Sequence, residues 1–455
     1  ELGFQQRALV EGWQAVNRDP GNFSAHRFLA DSYAVLPRHE IARVSELLQS
    51  QLLAPATNTP LQPRLAASNL MLISSGGPGA ASFNEFNPLF NRDGISLLAS
   101  GMAGQQGTGA GDVVVSGISG RASYSLGYSK FQTDGFRVNA DQKDDIGNAF
   151  VQLDLTPQTS VQAEYRNRQT EWGDLQQRFF ANAFSTSLRN SVDSDTYRLG
   201  LRHALSPAST LIGSYIHQDR DTGARFSQAP DFGLGIPGLD GAVTIPERAK
   251  GAELQHIFRS DRFNLRSGVG YFEVDRTENV DQTLFFPLPS PPFPPGSTAP
   301  LPQPTVVTNA RSRHVNAYAY GTLQLSGNAQ LVLGASYDAI DGSVASTSGH
   351  QFNPKLGLIW NVTPATTVRA AAFRVLKRTL ITNQTLEPTE VAGFNQFYDD
   401  ANFTKSRRLG VALDQKFSAT VFGGIEASKR ATVVPWTCAN PVCGALGDRQ
   451  ADWDE

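Results

Sequence analysis

From about residue 94 onward, the connections between apolar-alternating stretches come in two lengths that take strict turns, and few folds obey that rule. Very short turns fall at Thr156-Pro-Gln-Thr159, Ser206-Pro-Ala-Ser209, Ser260-Asp261, Ser326-Gly-Asn328, Thr363-Pro-Ala-Thr366 and Ser418-Ala419. Longer polar connections lie between them, at about 135–146, 171–192, 222–249, 276–311, 341–349, 377–399 and 431–452. A soluble sandwich has no reason to alternate in this way. A barrel crossing the outer membrane does, because its turns are short on the periplasmic side and its loops long outside.

The stretches between those connections have a period of two. Ala122, Tyr124, Leu126 and Tyr128 alternate with Ser123, Ser125, Gly127 and Ser129. Val161, Ala163 and Tyr165 alternate with Gln162, Glu164 and Arg166, and the same pattern runs through Leu331–Tyr337 and Leu356–Val362. One apolar and one polar side per strand suits a lipid-facing wall around a wet lumen. Mean hydropathy is only −0.28, which such a wall tolerates because half of its residues are polar. No run of roughly 18 apolar residues is present to make a membrane helix. Counting under the turn rule gives about fifteen strands from near Gly94 to near Arg430, and an even number requires at least a sixteenth. The expected fold is therefore mainly β, a transmembrane antiparallel up-and-down barrel of about 16 or more strands, located in the bacterial outer membrane. The chain begins with Glu1 and stops where the next strand would start, so it reads as truncated at both ends.

Residues 1–53 follow a helical period instead. Leu9, Trp13 and Val16 share one face, and Arg18-Asp-Pro-Gly-Asn22 breaks the pattern. A second helix is expected over Ser24–Val35, with Ala25, Phe28, Leu29 and Tyr33 inward, and a third over Glu40–Leu52. The stretch AVNRDPGNFSAHRFLADSYAVLPRHEIARVSELL resembles a tetratricopeptide repeat in its Asp-Pro-x-Asn turn and in the spacing of Ala25, Leu29, Ala30 and Tyr33. It covers little more than one repeat; a simple helical hairpin is the plainer alternative. The domain reading is a helical segment at 1–53 on the periplasmic side, a linker at 54–93 and a barrel over 94–455 whose C-terminal end is incomplete.

The segment FNPKLGLIWNVTPATTVRAAAFRVLKR, followed by LEPTEVAGFNQ and a strand ending VALDQKFS, resembles the barrel of TonB-dependent outer-membrane receptors. The resemblance rests on Phe352, Pro354, Phe373, Arg374, Leu386 and Pro388. It implies an uptake barrel closed by a plug domain, yet the interval 54–93 is too short to hold one. A periplasmic helical repeat joined to an outer-membrane barrel also resembles the bacterial exopolysaccharide exporters.

Formal charge is −3, which gives no footprint for nucleic acid. Catalytic groups, metal ligands and cofactor motifs are not expected, since the seven histidines are scattered and no triad or carboxylate pair stands out. Cys438 and Cys443 form the candidate disulfide. The candidate lumen-lining residues are Glu164, Arg166, Arg168, Arg198, Arg202, Arg266 and Arg369, which either select solutes or brace the wall through salt bridges. Tyr128, Phe131, Tyr271, Phe272 and Phe373 are candidates for interfacial aromatic girdles, and the proline-rich run from Phe285 to Pro304 is expected to stay out of any ladder. GQQGTGAGD at 104–112 is expected to connect the first two strands. The functional expectation is a transport conduit for a polar solute or polymer, whose partners are outer-membrane lipid or lipopolysaccharide and a periplasmic protein held by the helical segment. The alternatives are a receptor-like uptake barrel and a structural or surface-display barrel.

Overall fold

Alternate burial is visible along most strands of the computed structural model, which describes residues 5–33, 39–58, 93–177, 180, 183–233, 235–290, 292–342, 348–398, 400–436 and 449–454. The candidate disulfide at Cys438 and Cys443 lies outside these residues. Strand β3 (Ala122–Thr133) buries Ser123, Ser125 and Ser129 and leaves Leu126 and Tyr128 exposed. The same inversion, polar inside and apolar outside, places Val151, Leu199, Leu254, Val269, Leu333, Leu356 and Leu409 on the outer surface. Such a surface is stable only against hydrocarbon, where each apolar side chain escapes water and every backbone group is satisfied within the ladder.

The first two strands are β1 (Gly94–Ala103) and β2 (Gly109–Ser119). After β3 follow β4 (Gln142–Thr156), β5 (Thr159–Trp172), β6 (Arg189–Ser206), β7 (Ser209–Gln228), β8 (Gly238–Arg259) and β9 (Phe263–Pro287). Next come β10 (Thr298–Pro302) and β11 (Val306–Ser326), which both pair with β9. The rest are β12 (Ala329–Gly342), β13 (Gly349–Thr363), β14 (Thr366–Leu376), β17 (Lys405–Lys416), β18 (Phe422–Trp436) and β19 (Arg449–Asp454). Between β14 and β17, the short strands β15 (Glu390–Val391) and β16 (Phe394–Asn395) form a separate hairpin. The main sheet has 17 strands, each antiparallel to its sequence neighbour in the wall, so the up-and-down barrel expectation holds. Its first strand starts at Gly94, as the sequence pattern predicts, and β1 and β2 are joined through 104–108 within the glycine-rich run.

The short turns are where the sequence placed them. At four of them the ladder slips by one residue just before the turn, between Asp154 and Thr156, Ala204 and Ser206, Gln324 and Ser326, and Asn361 and Thr363. These bulges lie at the rim, where a local twist helps the chain to reverse.

Three local expectations need correction. Much of 222–249 and 276–311 is strand rather than loop: β9 runs 25 residues, well past the roughly 9–11 that span a bilayer. The proline-rich run also joins the ladder, since β10 pairs with β9 from Thr298↔Pro287 to Pro302↔Thr283. Backbone bonds Leu288 N–H to Ser297 O and Gln303 N–H to Gln282 O put the odd-numbered residues in the hydrogen-bonded positions. Pro300 and Pro302 therefore fall where the ladder asks for no N–H. Of the girdle candidates, Tyr128 and Tyr271 face outward, whereas Phe131, Phe272 and Phe373 are buried on the inner side; period two fixes their side by register, and they sit an odd number of residues from the apolar set.

The N-terminal helices are α1 (Gln5–Arg18), α2 (Phe23–Tyr33) and α3 (Glu40–Leu53). Asn22 caps α2 through its side-chain oxygen, which accepts from the N–H groups of Ser24 and Ala25 at 3.0 and 3.2 Å. Trp13, Val16, Ala25, Leu29 and Tyr33 are buried as expected, but Phe28 is 37% exposed, because α2 turns that face away from its two neighbours. All three helices pack on the inner side of the sheet, against wall residues close to the short-turn rim.

Candidate functional site

Helix α3 is buried on every face. Ser45, Glu46, Gln49 and Ser50 are as inaccessible as Ile41, Leu48 and Leu52. A helix polar on one side is normally wet there. Here Glu46 is met by His26 of α2 and by Thr389, and Ser45 accepts from the Thr385 N–H, while the inner wall bonds the C-terminal end of the helix. Gln162 of β5 donates to the Gln51 carbonyl at 2.5 Å, Gln152 of β4 to the Ala54 carbonyl at 2.8 Å, and Arg198 of β6 to Oε1 of Gln51 at 3.0 Å. Leu52, Leu53 and Leu48 meet Ile212, Ile257 and Leu386 in an apolar cluster.

Helix α1 is held by β9 and by the turn before it. Asn264 of β9 donates to the carbonyls of Asn17 and Arg18 at 3.1 and 3.0 Å, and Arg266 donates to Asn17 Oδ1 at 3.0 Å. Arg259, beside the β8–β9 turn, pairs with Asp19 at 2.8 Å. The helices thus fill the periplasmic end of the lumen and are bonded to wall strands β4, β5, β6 and β9.

The connection between β14 and β17, residues 377–404, closes the arrangement from the external side by folding inward. Arg378, fully buried, donates to Glu387 at 2.7 Å, to Asp338 of β12 at 3.2 Å and to Thr385 at 2.7 Å. Burial disfavours its charge, yet Glu387 and Asp338 around it hold its proton more tightly than in an ordinary arginine. Thr385 in turn donates to Glu253 of β8 at 2.7 Å, and Tyr320 of β11 donates to Glu387 at 2.6 Å. From this anchored base the segment reaches the helices. Thr385 N–H donates to Ser45 Oγ at 3.1 Å, Thr389 to Glu46 at 2.6 Å, and Asn17 to Glu390 at 2.9 Å. The Glu390 carboxyl is pushed above its usual range by burial, an effect only partly offset by Arg266, the Gly393 N–H and Asn17.

Every lumen-lining candidate faces this interior. Glu164 pairs with Arg166 at 2.9 Å and with Arg198, which itself grips α3. Arg168 donates to Asp144 at 2.8 Å, Arg202 reaches Ser160 at 3.5 Å, and Arg266 holds α1. Arg369 pairs with Asp414 at 2.7 Å and stacks over Trp13 and Phe394, with its guanidinium carbon 5.3 and 5.0 Å from the two ring centres. These side chains brace the wall to itself, and three of them also tie it to the helical insert or lie against it. Sequence reasoning missed Arg378, Glu253, Glu387 and Tyr320, whose partners lie as far as 133 positions away and leave little local signal. Among the described residues no group of three His, Cys, Asp or Glu side chains is placed to hold a metal.

Residues 119–422 match the family model described as TonB dependent receptor-like, beta-barrel. The solved FpvAI–pyocin S2 complex is similar over 80% of this chain and 53% of that one, with a TM-score of 0.56 and 11% identity. The copper transporter OprC matches over 75% and 53%, with a TM-score of 0.54 and 13% identity. The siderophore receptor PiuA from Acinetobacter baumannii matches over 76% and 57%, with a TM-score of 0.50 and 11% identity. The chain thus spans about half the length of these proteins. Among curated proteins none matches. With the family model covering most of the wall, the chain belongs to the TonB-dependent receptor-like β-barrels of the bacterial outer membrane.

Proposed function

We propose that this barrel is a gated conduit passing a polar solute or polymer across the outer membrane, with α1–α3 as the movable stopper. The reading is carried by the burial of α3 on all faces between the wall and segment 377–404. An insert that merely filled a structural barrel would be best served by apolar packing. This one is held by hydrogen bonds and ion pairs as well as by apolar packing, and water replaces each of those polar contacts at a net cost of only about 0.5–1.5 kcal/mol. The same helices, placed at the short-turn end with Phe28 partly exposed, offer the periplasmic face to a protein partner. Lipopolysaccharide and lipid would surround the apolar outer belt.

The family resemblance favours a second reading, receptor-like uptake, in which the helices take the place of a plug and are displaced toward the periplasm. Liposome swelling in glycine solution tests the conduit itself. Faster swelling with a variant lacking residues 5–53 than with the full chain supports a stopper. Equal, negligible swelling for both, with the barrel shown by circular dichroism to be folded, would assign the protein to a structural or surface-display role.

A further inference from the structure

A cavity of about 700 Å³ lies beside α1, between that helix, the β15–β16 hairpin and the inner faces of β14, β17 and β18. That is within the roughly 300–1,000 Å³ of small-molecule clefts. Two kinds of group line it. Trp13, Tyr33, His39 and Tyr398 line it with aromatic rings, with Tyr33 and His39 stacked at 5.6 Å, His39 edge-on to Tyr398 at 6.0 Å and Trp13 beneath the Arg369 guanidinium. Arg369 and Arg408 supply forked donors, each already beside a carboxylate: Asp414 at 2.7 Å from Arg369, and Glu426 at 2.9 Å from Arg408. Nη1 of Arg369 is buried with no hydrogen-bond partner, in a side chain only 6% exposed. Glu426 is 42% exposed, and its other carboxylate oxygen lies 3.7 Å from Arg369.

We propose that this cavity binds a saccharide. Each hydroxyl of a sugar donates one hydrogen bond and accepts others, which suits a wall presenting guanidinium and carboxylate side by side. The C–H faces of the ring would lie on the aromatic side chains, whose flat faces carry negative charge density. An inorganic anion would gain from the arginines but meet Asp414 and Glu426. A wholly apolar ligand would leave the buried Nη1 of Arg369 unpaired. The proposal rests on the conduit reading for its biological sense, since the cavity runs alongside the stopper, but the chemistry of the cavity stands without it.

Isothermal titration of the full chain in a sugar-free detergent tests the assignment, with cellobiose, maltotriose and a glucuronate-containing disaccharide as probes and sodium phosphate as contrast. Saturable binding of at least one saccharide is expected, with phosphate silent. Glu426→Gln and Trp13→Leu should each weaken binding by at least about tenfold, as expected for an unmet polar group or a lost stacking face. Hydrogen exchange across α3 keeps the readout honest: its protection should be unchanged in Glu426→Gln. Silence with all three saccharides, equal affinity for phosphate, or saccharide binding that neither variant disturbs would each overturn the proposal. Liposome swelling by the same preparation separates the two claims, since normal gating without saccharide binding sinks only this one.

Discussion

Asn17, at the C-terminal end of α1, donates to Glu390 of the inward-folded segment at 2.9 Å while its own oxygen accepts from Arg266 of the wall at 3.0 Å. One amide thus joins the helical insert to the external connection and to the barrel. Replacing it with Leu leaves both charged partners buried without it. Each such loss costs about 1–3 kcal/mol, so Asn17→Leu should lower the hydrogen-exchange protection of α1 by tenfold or more. Undiminished protection would show that the bridge contributes nothing to docking.

Glu390 also gives the insert a pH dependence. Its carboxyl is held above the usual range, so the docked state binds the proton more tightly than the undocked one. Docking is then strongest below the ordinary carboxyl value, weakens as pH rises through the interval up to the raised value, and is weakest above it. Protease access to α1 should therefore be lower at pH 5 than at pH 8. Glu390→Gln should remove most of that difference; an unchanged difference would assign it to other groups.

Segment 377–404 depends on Arg378. Arg378→Met leaves Glu387 and Asp338 buried without their shared counter-ion, and breaking a buried pair from one side costs roughly 3–5 kcal/mol. The segment should become cleavable by external protease while the wall stays folded. A segment as resistant as the wild type would contradict its role as anchor.

Gly200 of β6 faces the lumen where an added Cβ would come within 2.6 Å of Leu52 Cδ2 on α3. Gly200→Trp should push α3 from its seat without disturbing the outer surface, and so raise liposome swelling toward that of the helix-deleted variant. Swelling at the wild-type rate would mean that the insert can dock elsewhere.

The outer wall makes a separate prediction. Leu356, 49% exposed on β13, faces hydrocarbon, so Leu356→Arg should destabilise the folded barrel in lipid by about 2–4 kcal/mol, read from urea unfolding. A change near zero would place this position outside the apolar belt.

These positions also show what the sequence could and could not reveal. The strands and turns were legible because burial against lipid repeats every two residues and each turn carries its own Pro, Gly, Ser or Thr. The side of Phe272 was not, since an aromatic ring fits either face and only register decides. The helices were visible as helices, from Trp13 and Val16 or Leu48 and Leu52, but their place was hidden. Glu46 is buried against His26 of α2 and against Thr389, which lies 343 positions away in the sequence. Arg198 and Gln51 are 147 positions apart, a distance that no local pattern bridges. The inward fold of 377–404 was concealed in the same way, because Arg378 and Glu387 look like any solvated loop until Asp338 and Tyr320 are beside them. For β10, proline content argued against pairing, and the register of alternate N–H groups overruled it.

Single-channel conductance of the full chain in a planar bilayer, with and without residues 5–53, tests the central claim most directly. A stopper predicts low or intermittent conductance for the full chain and a larger, steady conductance once the helices are removed. Equal conductance in the two forms, or silence in both from a folded barrel, would contradict it.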